Sequence, residues 1–270
     1  VAERGTGTLR VERQGHVAWL VVDNPSMRNA VTAHMWQQFP PLLTELEADD
    51  SVKVVVVRGA GEHFSAGADI ASVQQILHNP ATGHRDGGDV SAAENALAHF
   101  RKPTIAAIDG YCVGGGWQIA GACDIRLASS RARYGITPGK IGIVYPLSGI
   151  KRLVELAGPA AAKYLLLSGD LVDAHEALRL GLATKVLDVE ALWDDVHSFA
   201  LHLAARSQFS AQGHKALVNA LSSGVSAMEV ERLSGYWQGQ MAISDDPAIG
   251  VAAFLSKETP AFTWLRPDEG

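Results

Sequence analysis

The 270-residue chain is 47% hydrophobic and 19% charged, the balance of an ordinary globular protein long enough to bury one large core. A net charge of −6 with no Lys/Arg-rich run excludes nucleic acid as the expected partner. No apolar run approaches the ~20 residues of a membrane span, so no membrane partner is expected either. The two cysteines, Cys112 and Cys123, stand in apolar context without metal-ligand spacing and read as reduced thiols. No basic-then-apolar leader precedes the first strand, and the expected location is the cytoplasm.

Taken in chain order, residues 16–22 read as a strand. Thr32 is placed to cap a helix over residues 33–48, which Pro40 and Pro41 are expected to interrupt or kink. Residues 52–58 form a near-continuous apolar run, the pattern of a strand buried on both faces. Residues 78–90, rich in Asn, Pro, Gly, His and Asp, read as the most loop-like stretch of the chain. A helix is expected over 95–100, a strand over 104–108, a helix over 115–122 and a strand over 124–128. This alternation argues for an α/β architecture. From Leu192 onward strand signals stop and helical spacing takes over, as in Leu217, Ala220 and Leu221. That shift divides the chain into a core, 1–195, and a helical C-terminal region, 196–270.

Chemistry concentrates in two glycine-bearing segments, each a buried strand running into a turn and then a helical stretch. One is His63-Phe64-Ser65-Ala66-Gly67-Ala68-Asp69-Ile70 and the other is Asp109-Gly110-Tyr111-Cys112-Val113-Gly114-Gly115-Gly116-Trp117-Gln118. A strand-to-helix turn leaves backbone N–H groups unpaired at the helix start. Two such donors aimed at one carbonyl oxygen would make an oxyanion hole.

These segments, with the Asp23-Asn24-Pro25-Ser26-Met27-Arg28-Asn29-Ala30 turn before them and Phe254-Leu255-Ser256-Lys257 near the end, resemble the crotonase (enoyl-CoA hydratase/isomerase) superfamily. The resemblance runs from about Gly15 to Phe262. It implies a spiral of repeated ββα units with a C-terminal helical oligomerisation region, assembled as a homotrimer or a dimer of trimers. It also implies an acyl-CoA thioester as substrate, with no separate cofactor and no metal. The oxyanion donors are then the amides of Ala68 and Gly115, with Ala66, Asp69, Ile70, Trp117 and Pro138 around the substrate. Arg28 maps to the CoA phosphates, and Phe254 and Lys257 to contacts with a neighbouring subunit's ligand.

The chain departs from that family at its acid/base positions. Hydratases of the family carry glutamates where this sequence has Gln118 and Pro138, and neither residue can move a proton. A reaction that needs no base is loss of CO2 from a malonyl-type thioester. The stretch Thr137-Pro138-Gly139-Lys140-Ile141-Gly142-Ile143-Val144-Tyr145 resembles the methylmalonyl-CoA decarboxylase branch, which gives Tyr145 the task of orienting the departing carboxylate. One departure is Ala68, where that branch has His. The leading expectation is therefore a (methyl)malonyl-CoA-type decarboxylase, an acyl-CoA lyase. Two alternatives stay open: a hydratase, isomerase or C–C hydrolase with a displaced base such as His63 or Asp69, and a non-catalytic acyl-CoA-binding protein. His78, His84, Asp86 and Asp89 lack metal-site spacing and read as surface residues.

Overall fold

The computed structural model describes residues 7–79, 83–84 and 86–266. The residues of the leader expectation, 1–6, and part of the expected loop, 80–82 and 85, lie outside the described residues. The chain opens with an antiparallel pair, β1 (Thr8–Gln14) and β2 (Val17–Asp23). Helix α1 (Ala33–Ala48) follows, its N-terminus capped by the Thr32 hydroxyl accepting from the Met35 amide at 3.3 Å. Residues 33–48 form one helix with Pro40 and Pro41 inside it, so the prolines do not interrupt it. Its buried stripe of Met35, Trp36, Phe39, Leu43 and Leu46 offsets the two amide donors that the prolines remove.

Next come β3 (Val54–Gly59), the short helix α2 (Val73–Leu77), α3 (Gly88–Ala98) and β4 (Thr104–Ile108). Helix α3 starts well before the predicted residue 95. Val90, Ala93, Glu94, Leu97 and Ala98 form its buried stripe, and the surrounding polar letters disguise that spacing in the sequence. Then β5 (Tyr111–Val113) leads into α4 (Gly115–Ala122), every residue of which is buried. The run continues with β6 (Ile125–Ser129), β7 (Arg133–Gly135), α5 (Leu147–Ser168, broken at Gly158), β8 (Leu171–Asp173), α6 (Ala174–Arg179) and β9 (Lys185–Leu187). Four helices finish the chain: α7 (Leu192–Ala204), α8 (Gln208–Ser222), α9 (Ala227–Ile243) and α10 (Asp246–Ser256).

The strands form a six-stranded sheet of order β1-β2-β3-β4-β6-β9, parallel after its first pair, and a small sheet of order β5-β7-β8. Alternation along β3 explains its apolar run. Val55 and Val57 face the main core with α1, α3 and α4, while Val54 and Val56 face a second core under α7. Leu192, Val196, Ala200 and Ala204 are the α7 stripe on that face. The expected divide at 195/196 falls inside this helix. The two glycine turns leave the same edge of this layered core, which sets them against each other.

Candidate active site

Three backbone links bring the turns together, the first from the Phe64 amide to the Asp109 carbonyl at 2.7 Å. The Ser65 amide donates to the Tyr111 carbonyl at 2.8 Å, and the Val113 amide donates to the Ser65 carbonyl at 3.0 Å. On the other side Val31 donates to Gly67 at 2.8 Å and accepts from the Asp69 amide at 3.0 Å. Between those two bonds the Ala68 N–H points away from Val31, as alternate residues of an extended segment do. Asn29, fully buried, pins the arrangement by donating from Nδ2 to the Ala60 and His63 carbonyls at 2.8 and 2.6 Å.

Gly114 adopts φ 53°, ψ −116° and hands the chain into α4, so Gly115 is the first helical residue and its N–H has no acceptor within the helix. The two amides converge. Ala68 N lies 3.1 Å from where a Gly115 Cβ would stand, and Gly115 N lies 3.1 Å from where a Gly67 Cβ would stand. Side chains at either glycine would fill the space into which both N–H groups point. Trp36 Cζ2, 2.8 Å from the same Gly115 Cβ position, closes the hole from behind.

The cavity in front of these amides has a volume of about 90 Å³. Ile70, Val73, Leu77, Val90 and Ile141 give it apolar walls, and its polar side chains are Gln118, Thr137 and Tyr145. Among the described residues no Asp, Glu, His, Lys, Arg or Cys lines it. The Tyr145 hydroxyl donates to the Gly114 carbonyl at 2.7 Å. Burial, with the nearby Glu94 adding to it, pushes the phenol well above its ordinary pKa, so it stays a donor. Gln118 Nε2 donates to Glu94 Oε2 at 2.8 Å.

Glu94 is 1% exposed and stands on α3 one turn beyond Val90 of the cavity wall. Burial raises its pKa, partly offset by Gln118, the nearby Ser148 hydroxyl and Arg152. The Arg152 Nε is 4.0 Å from Oε1, which has no hydrogen-bond partner. Sequence reasoning missed this carboxyl. The signal available was the helical stripe that places Glu94 between Val90 and Leu97 on the buried face.

Converging amides in front of a small apolar cavity match what the comparisons return. The family model described as enoyl-CoA hydratase/isomerase matches residues 12–264. The chain belongs to the enoyl-CoA hydratase/isomerase family. A crotonyl-CoA hydratase of Syntrophomonas wolfei is 31% identical over 93% of this chain and 96% of its own. A peroxisomal Δ(3,5)-Δ(2,4)-dienoyl-CoA isomerase of Arabidopsis thaliana is 32% identical over 95% of this chain and 96% of its own. A crystal structure of an enoyl-CoA hydratase/isomerase family member superimposes with a TM-score of 0.90 at 41% identity, covering 97% of this chain and all of that one.

Against the family's pattern, the structure brings Ala66, Ala68, Ile70, Gly115, Gln118, Pro138 and Tyr145 together at the cavity. It leaves the others elsewhere. Asp69 caps the short turn after the hole, accepting from the Ala71 amide at 3.2 Å and the Ser72 hydroxyl at 3.0 Å, and is not part of the cavity wall. Trp117 is 1% exposed and packs edge-on to Tyr134, so it fills core instead of lining the acyl site. Arg28, exposed, lays its guanidinium over the Tyr111 ring at 5.3 Å. Phe254, 83% exposed, and Lys257, exposed at the end of α10, do not touch the cavity.

His63 accepts from the Tyr111 amide through Nδ1 at 3.4 Å and, like Asp69, is not part of the cavity wall. Asp89 accepts from Gln37 at 3.0 Å, and among the described residues no metal-binding cluster of His, Cys, Asp or Glu occurs. Cys112 and Cys123 are buried and unpaired, with burial pushing Cys123 to about 12. No helix of the described chain is long and apolar enough to cross a membrane.

Proposed function

We propose that this enzyme binds a short, uncharged acyl-CoA thioester, polarises its carbonyl between the Ala68 and Gly115 amides, and catalyses hydratase- or isomerase-type chemistry on the resulting enolate. The observation that carries the reading is the commitment of two of the three donor side chains of the cavity wall to partners inside the protein. The Gln118 amide nitrogen is held by Glu94 and the Tyr145 hydroxyl by Gly114. A malonyl-type carboxylate would then find only the Thr137 hydroxyl as a free donor side chain in an otherwise apolar wall, and would be poorly compensated for the water it loses. An enoyl or hydroxyacyl group meets no such penalty. The relatives named as hydratase and isomerase support the same reading.

Each oxyanion donor contributes roughly 2.7–4 kcal/mol to barrier reduction in comparable sites. Gln118 cannot accept the proton of an attacking water. Turnover is therefore expected to lack the roughly 10²–10⁴-fold that a positioned base supplies. Decarboxylation of a malonyl-type thioester is the second reading, favoured by a cavity wall without an ionisable carboxyl. We also propose the trimeric or hexameric assembly, for which the exposed Val251, Phe254 and Leu255 on α10 offer an apolar contact face.

The test is mass spectrometry of thioester products after separate incubation with crotonyl-CoA, malonyl-CoA and methylmalonyl-CoA. Addition of water to crotonyl-CoA, with both malonyl thioesters intact, is expected. Loss of CO2 that diminishes in Tyr145→Phe would establish the second reading instead. Tight binding of every thioester with no turnover would leave the non-catalytic alternative.

A further inference from the structure

We propose that Glu94 is a positioning residue that holds the Gln118 amide with its nitrogen turned into the protein and its carbonyl oxygen turned to the acyl cavity. The site thereby favours an acyl group, or a water beside it, that donates a hydrogen bond. This rests on the acyl-CoA reading above and adds to it a rule for what the acyl group presents.

The two ends of an amide differ only in chemistry: nitrogen donates and oxygen accepts. A carboxylate only accepts, so the contact of 2.8 Å with Glu94 Oε2 assigns the nitrogen to that side. Gln118 is 2% exposed and belongs to the cavity wall, which leaves its oxygen as the end offered there. Two further features hold the amide in place. Helix α4 buries the whole residue, and Gly149 of α5 comes so close that its missing Cβ would stand 3.0 Å from Gln118 Nε2 and 2.7 Å from Tyr145 Cε1. The packing holds the plane of the amide, and the contact with Glu94 decides which end faces the cavity.

Glu94 itself is an expensive residue for stability alone. Its Oε1 has no partner and its cation stands off at 4.0 Å, a geometry in which a buried carboxyl returns little of its desolvation cost. Its effect falls on Gln118. The chemistry in front of the amide oxygen follows: a hydroxyl at the acyl β-carbon or a water poised beside the double bond is held, and an anionic group is repelled.

The experiment is calorimetric titration of the whole protein with butyryl-CoA and 3-hydroxybutyryl-CoA, thioesters of one chain length that differ by a hydroxyl. Wild type is expected to bind the hydroxylated ligand about five- to tenfold more tightly. In Glu94→Gln that ratio should fall to about one, because a second amide satisfies Gln118 from either end, while affinity for butyryl-CoA holds. A purely structural Glu94 would shift the melting temperature and leave the ratio alone. If Glu94→Gln does not fold, Glu94→Asp keeps the charge but withdraws it by one methylene, and the same loss is expected. A ratio of one in wild type, or an unchanged ratio in the variants, overturns the role of Glu94. Failure of wild type to bind either thioester instead sinks the acyl-CoA reading on which it rests.

Discussion

Replacing Gly115 by alanine adds one methyl group at the centre of the proposed oxyanion hole. The Gly115 backbone is ordinary helix, so the substitution carries no conformational penalty of its own. What it meets is specific: the new Cβ would stand 2.8 Å from Trp36 Cζ2 and 3.1 Å from the Ala68 nitrogen. Trp36 is fully buried and cannot retreat without moving α1. Overpacking of this kind costs about 1–3 kcal/mol of stability. The larger effect is on chemistry, because the methyl occupies the space that a thioester oxygen needs. Loss of one donor alone is worth roughly 10²–10³ in kcat, and here both amides are screened. Steady-state kinetics on the thioester turned over by wild type, with thermal denaturation alongside, measures both. Gly235→Ala is the control: it lies inside α9 with nothing within 4 Å of its Cβ position, and should gain about 0.4–1 kcal/mol without touching activity. A folded Gly115→Ala enzyme with kcat within about threefold of wild type would refute the assignment of the hole.

Gln118→Glu restores the family's carboxyl but sets it against Glu94, at the contact now 2.8 Å long. Two charges about 4 Å apart repel by about 4 kcal/mol at an effective dielectric of 20, roughly three pKa units. The pair then titrates as a unit with its upper pKa raised. A raised folded pKa means stability is retained in acid and lost as pH rises. The urea midpoint of the variant should therefore fall increasingly below wild type from about pH 5 to 8, and a gap constant with pH would show that the carboxyls do not meet. Asp109 tests the opposite sign. It is 4% exposed and accepts from Arg131 Nε at 2.8 Å and Ser129 Oγ at 2.6 Å. Burial would raise its pKa, but these bonds outweigh it and hold the carboxylate below its ordinary range. Its contribution is present above about pH 4 and fades as pH falls through the lowered pKa. Asp109→Asn should cost about 1–2 kcal/mol at pH 7, discounted for the exposure of Arg131, with the gap closing in acid. Equal stability at pH 7 would sink that account.

Local signals in the chain reached further for the hole than for its surroundings. The strand over Thr104–Ile108, the helix Gly115–Ala122 and the Thr32 cap are written in contiguous letters: apolar runs, glycine turns and a hydroxyl before a helix. The same signals missed the start of α3, placing at 95 a helix that begins at Gly88, because its core-facing positions are separated by polar residues and it opens on glycine. They also left Trp117 undecided between acyl site and core, since both fates call for a large apolar side chain.

What the sequence by itself determined is the family and the two glycine turns that set the Ala68 and Gly115 amides against each other, because turns and helix starts are specified by short segments. Only the tertiary structure decided how the polar side chains are spent. Glu94 and Gln118 lie 24 residues apart on different helices, and Tyr145 reaches the Gly114 carbonyl from 31 residues away. Those contacts come from the packing of α3, α4 and α5 around one small cavity. No spacing along the chain encodes which end of an amide faces a carboxyl across that packing.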